Sequence, residues 1–70
     1  MNGNELLAAI KRKGKTVKEL CEAMGISTSS FYKKLKGISE FNRREIVEIK
    51  HYLGLSLDET RVIFFAESVS

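Results

Sequence analysis

ELCEAMGISTSSFYKKL, Glu19–Leu35, is the stretch whose reading decides the fold. Glu19 to Met24 carries apolar residues at the helical period, Gly25 interrupts it, and a second helical run begins within about three residues. A turn that short makes the second helix cross the first steeply, the geometry of a helix-turn-helix. Leu20, Cys21, Ile26, Phe31 and Leu35 are spaced to bury the inner faces. Thr28, Ser29, Tyr32, Lys33 and Lys36 are left on the outer face, with short hydroxyls first and long cations after them. No Asp or Glu lies between Ala23 and Ser39, although the chain has nine.

Moving outward, Gly14, Gly25, Gly37 and Gly54 each follow an apolar-periodic segment, where a helix stops most cheaply on glycine. The starts are marked as well. Asn2 with Glu5, Thr16 with Glu19, Asn42 with Glu45 and Ser56 with Glu59 all have capping-box spacing, and Ser27 is a cap without the Glu partner. Helices are therefore predicted over 4–13, 17–24, 28–36, 43–53 and 57–65. The last segment, RVIFFAESVS, is also rich in strand-forming residues. The cap at Ser56 and the spacing of Leu57, Thr60 and Phe64 favour helix as far as Phe65, then frayed coil.

Seventy residues make one domain, near the lower limit for a self-sufficient core. The lone Cys21 cannot form an internal disulfide and reads as a small buried hydrophobe, while His51 reads as a surface side chain at a helix end. Together they are too few for a structural zinc site, so no metal is expected. The first residues, MNGNELLAAIKRKG, place their charges after the apolar ones, unlike a secretory leader. No apolar run approaches the roughly 20 residues of a membrane span. A reduced, cytoplasmic setting is expected.

The net charge of +3 is unevenly spread. Residues 1–50 carry eleven Lys and Arg against six acids, and residues 51–70 carry one against three. A basic body suits a polyanion. On the outer face of the second helix, short polar groups approach base edges while Lys and Tyr reach phosphates. A carboxylate there would repel the DNA backbone, which accounts for the acid-free window. No nucleophile with a base, acid/base pair or phosphate-cradling loop is visible, so no enzyme activity is expected.

TVKELCEAMGISTSSFYKKLKG, Thr16–Gly37, resembles the phage-repressor type of helix-turn-helix, the family of the lambda repressor and the Cro proteins. The agreement lies at Thr16, Glu19, Leu20, Gly25, Ile26, Ser27, Ser30, Phe31 and Gly37. With one helix before the motif and two after it, the resemblance covers nearly the whole chain. It implies that residues 1–70 form a single all-α domain, a compact five-helix lambda repressor-like fold. It also implies that Thr28, Ser29 and Lys33 read bases, with Tyr32 at a neighbouring groove-facing position. Thr16, Lys18, Lys36, Arg43 and Arg44 would lie along the DNA backbone. Val17 stands where the family often has a phosphate-contacting Gln, and Cys21 replaces the customary Ala.

The functional expectation is a sequence-specific transcriptional regulator of phage or mobile-element type, repressor-like or Cro-like. It would bind double-stranded DNA with no cofactor and no small-molecule substrate. One recognition helix reads too few base pairs, so a homodimer on a palindromic operator is expected, at least on DNA. The 57–70 tail would supply the dimer contact through Val62, Ile63, Phe64 and Phe65. Adjacent helical residues point about 100° apart, so Phe64 and Phe65 cannot both face the core. Two other readings stand beside this one. The first is an antitoxin-like protein-interaction module in which the apolar tail grips another protein and DNA binding is secondary. The second is an architectural or recombination-directionality factor that bends DNA.

Overall fold

The computed structural model describes residues 1–65. Among them, five helices follow one another without a strand: α1 (Gly3–Arg12), α2 (Val17–Met24), α3 (Thr28–Leu35), α4 (Arg43–Leu53) and α5 (Leu57–Phe64). The all-α expectation holds, and each helix lies within a residue or so of its predicted span. The coil expected for 66–70 lies outside the described residues.

Local chemistry sets the boundaries. Thr16, Asn42 and Ser56 form reciprocal capping boxes with Glu19, Glu45 and Glu59. Ser27 caps α3 alone, accepting from the Ser30 N–H at 3.1 Å. The box expected at Asn2 is a correction. Its side chain accepts from the Glu5 N–H at 3.2 Å, but the Asn2 N–H donates to the Ile63 carbonyl of α5 at 2.7 Å. With that donor satisfied across the fold, Glu5 has nothing to reach back for.

Gly25 ends α2 with φ +73°. Its N–H donates to the Glu22 carbonyl at 3.3 Å, and the Ile26 N–H donates to the Cys21 carbonyl at 3.1 Å. This pair of bonds is the Schellman closure, and its left-handed residue is cheap only for glycine. The chain thus turns from α2 into α3 through Gly25, Ile26 and Ser27 alone.

The core gathers Leu6, Ala9 and Ile10 of α1, Leu20 and Cys21 of α2, and Phe31 of α3 with Ile49, Leu53, Leu55, Ile63 and Phe64. α2 packs on α3 and α4, and α1 packs on α5. Phe31 is fully buried and meets Phe41 edge-on at 5.7 Å between centroids, and Phe41 meets Phe64 in turn at 5.9 Å. Gly3 lies against the end of α3, where a Cβ would stand 3.0 Å from the Leu35 carbonyl oxygen. The first turn of α1 is therefore wedged between α3 and α5.

Candidate nucleic-acid interface

α3 shows one buried side chain to the core, Phe31, and a polar strip to the outside. Thr28, Ser29, Tyr32, Lys33 and Lys36 are all exposed. Spaced i, i+1, i+4, i+5 and i+8, they share one side of the helix and its C-terminal cap. Tyr32 is braced from behind, its ring edge-on to Phe31 at 5.7 Å and 84°. The first turn of α3 has no acid, and its last turn carries Lys33 and Lys34.

Two acids that flank α3 are already engaged, whereas Glu40, in the loop past Lys36, stays exposed. Glu19 accepts from the Thr16 N–H at 2.9 Å and from the Thr16 hydroxyl at 3.2 Å. Glu45 accepts from the Asn42 N–H at 2.9 Å and from Lys34 Nζ at 3.2 Å. The other expected backbone contacts flank α3 at helix starts. Thr16 and Lys18 stand exposed at the start of α2, where the Thr16 hydroxyl also serves as the cap. Arg43 and Arg44 are exposed in the first turn of α4. Arg44 Nε lies 3.8 Å from Glu48, a surface pair worth little. Two cations at a helix N-terminus oppose the macrodipole, so they do not serve the stability of α4.

At the tail, the structure divides the four expected dimer residues. Ile63 and Phe64 belong to the core, at 1% and 8% exposure. As surface contacts they are therefore a correction: the helical phase that lets α5 cover α1 and Phe41 turns them inward. Val62 and Phe65 remain on the surface, at 49% and 58%. A cleft of about 430 Å³ opens between the end of α3 and the end of α5, lined by Leu35, Phe41, Ile46, Phe64 and Phe65 with Lys36.

Reading from sequence missed three residues near this face. Lys34 is not a free surface cation. Phe41, in an irregular loop, joins the rings of α3 and α5. Ile38 stands 72% exposed just past α3, its N–H donating to the Lys33 carbonyl at 2.9 Å. Only its place beside the lysines signals it. Cys21 is buried, which pushes its thiol pKa up and leaves it a packing residue. Among the described residues no three His, Cys, Asp or Glu side chains gather as a metal site, and no helix is long and apolar enough to cross a membrane.

No curated protein and no solved structure matches the chain. A family model described as BetR domain matches residues 5–62, a span that takes in every expected DNA-facing residue from Thr16 to Arg44. The chain therefore belongs to the BetR domain family.

Proposed function

We propose that this chain is a sequence-specific double-stranded DNA-binding regulator of transcription, of the repressor or Cro-like type found in phages and mobile elements. The observation that carries it is the outer strip of α3, exposed, free of acids and rigidly turned out by the Gly25 closure. Thr28 and Ser29 approach base edges, Tyr32 and Lys33 extend the reading along the groove, and Lys36, Arg43, Arg44, Lys18 and Thr16 meet phosphates. Arg43 and Arg44 support it further, since their place against the α4 dipole suits an outside anion. The role is binding alone, with no catalytic step and no cofactor.

Specific recognition calls for two copies on a palindrome, joined through what α5 leaves exposed, Val62 and Phe65. Those two residues equally suit a protein-interaction module of the antitoxin kind, in which another protein takes the place of the second copy. Selection of bound sequences from random duplex DNA at two salt concentrations separates the readings. The regulator gives a palindromic consensus with affinity that falls steeply with salt. Recovery of no enriched sequence and no salt-dependent binding would leave the interaction module standing.

A further inference from the structure

Lys33, Lys34 and Lys36 close α3, and by charge alone they read alike. Their surroundings differ. Lys33 and Lys36 are exposed, whereas the Lys34 side chain is 18% exposed. Its Nζ donates to Glu45 Oε1 at 3.2 Å and to the Glu40 carbonyl at 3.2 Å. The same ammonium lies 5.9 Å from the centroid of the Phe41 ring. A carboxylate, a backbone carbonyl and an aromatic face thus surround one charge.

The carboxylate has a second task. Glu45 Oε1 also accepts from the Asn42 N–H at 2.9 Å, closing the cap of α4. A single oxygen thereby joins the last turn of α3 to the first turn of α4. Between them runs the loop that carries Lys36 and delivers Arg43 and Arg44. Its near end is fastened too, since the Ile38 and Ser39 N–H groups both donate to the Lys33 carbonyl, at 2.9 and 3.3 Å. A loop ordered in advance does not have to be ordered on binding, and that entropy is kept for affinity. Without Lys34, Glu45 would keep its bond from the Asn42 N–H but lose the cation that neutralises it close to a face meant for phosphates.

We propose that Lys34 is a positioning residue: it contacts no phosphate, and its bonds to Glu45 and Glu40 fix the α3–α4 loop so that Lys36, Arg43 and Arg44 meet the same duplex as α3. The inference rests on the DNA-binding reading above. It makes Lys34 and Lys36, two residues apart, act by different physics. One sets geometry, and the other neutralises the backbone.

The test compares Lys34→Met with Lys36→Ala on the selected duplex over a salt series. Amide exchange of Ile38, Ser39 and Asn42 is followed in the free proteins. Lys34→Met keeps the packed stem and is expected to weaken binding about tenfold at fixed salt while leaving the salt slope as in the unaltered protein. Lys36→Ala lowers that slope by about 0.9. The three amides exchange faster in Lys34→Met, while that of Leu20 in α2 does not. Glu45→Gln keeps a capping oxygen but loses the charge, so it loosens the same amides and serves if Lys34→Met does not fold. A slope reduced by about 0.9 in Lys34→Met makes Lys34 a phosphate contact and overturns the proposal. Unchanged exchange in both variants overturns it as well. If the unaltered protein binds no duplex, the DNA reading falls, and exchange alone still decides whether Lys34 fixes the loop.

Discussion

Glu59 accepts a 3.0 Å hydrogen bond from the Arg12 guanidinium, tying the first turn of α5 to the last turn of α1. Lys13 Nζ stands 3.3 Å from its other oxygen, which also accepts from the Ser56 N–H at 2.8 Å. The bond from Ser56 and then the one from Arg12 hold this carboxyl down at about 2, against an ordinary 4.5. A carboxyl with a lower pKa when folded binds its proton more readily when the chain unfolds. Its contribution to stability is complete above 4.5 and is lost as pH falls through about 2. Urea midpoints measured across that window should fall with pH, and Glu59→Gln should flatten the decline.

Phe31→Ala removes a fully buried ring that supports both Tyr32 and Phe41. The expected cost is about 3–5 kcal/mol. Against a total of about 5–15 kcal/mol, with a small domain near the lower end, this change is expected to unfold much of the population at 37 °C. Thermal melting followed by circular dichroism reads it directly.

Gly3→Val places side-chain atoms where a bare Cβ already stands 3.0 Å from the Leu35 carbonyl and 3.2 Å from Leu35 Cγ. The obstacle includes backbone, so α1 or the end of α3 must shift, at about 1–3 kcal/mol. A melting temperature equal to that of the unaltered protein would show that α1 is not wedged against α3.

Ser29→Ala and Lys36→Ala are expected to fail differently. Loss of the Ser29 hydroxyl should cost about 1–3 kcal/mol on the preferred site and change which site is preferred. Loss of Lys36 should weaken all sites alike. Repeating the sequence selection with each variant checks both, and a changed consensus from Lys36→Ala alone would reverse the two roles.

Phe64→Ser and Phe65→Ser should divide in the same way as their burial. The first opens the core beside Phe41 and destabilises the monomer by about 3–5 kcal/mol, the range for loss of a buried ring. The second leaves the monomer folded and weakens self-association, measured by sedimentation over a concentration series. Full dimerisation by Phe65→Ser would remove Phe65 from the proposed interface.

Where structure follows from near neighbours, it was legible in advance. The Gly25 turn and the caps at Thr16, Ser27, Asn42 and Ser56 involve residues only a few positions apart, and helix boundaries follow from them. The exposed strip of α3 follows from its period. Contacts between distant parts left no periodic trace. Phe41 lies in a loop, so no helical phase marked it as the link between Phe31 and Phe64. Lys34 looked like its neighbours because its partner, Glu45, stands beyond an irregular segment whose path spacing cannot describe. The same holds for Asn2, whose spacing pairs its N–H with Glu5 while the fold pairs it with the Ile63 carbonyl. In α5, adjacency showed that only one of the two Phe side chains faces inward, and tertiary packing decided which.

The bond from Asn2 to Ile63 also bears on how the molecule is made. α1 leaves the ribosome well before α5, yet Leu6, Ala9 and Ile10 belong to a helix whose packing partner is α5. Until Ile63 and Phe64 emerge, that apolar face stays wet and the Asn2 N–H lacks its native acceptor. α2, α3 and α4 can pack on one another earlier, but the buried face of α1 gains its main partner only when α5 is made. In the nascent chain α1 is thus expected to stay open until α5 has been made, and to close onto it in one step. The helix-turn-helix is translated between the two, and the part of its core that α1 and α5 supply arrives only with that docking.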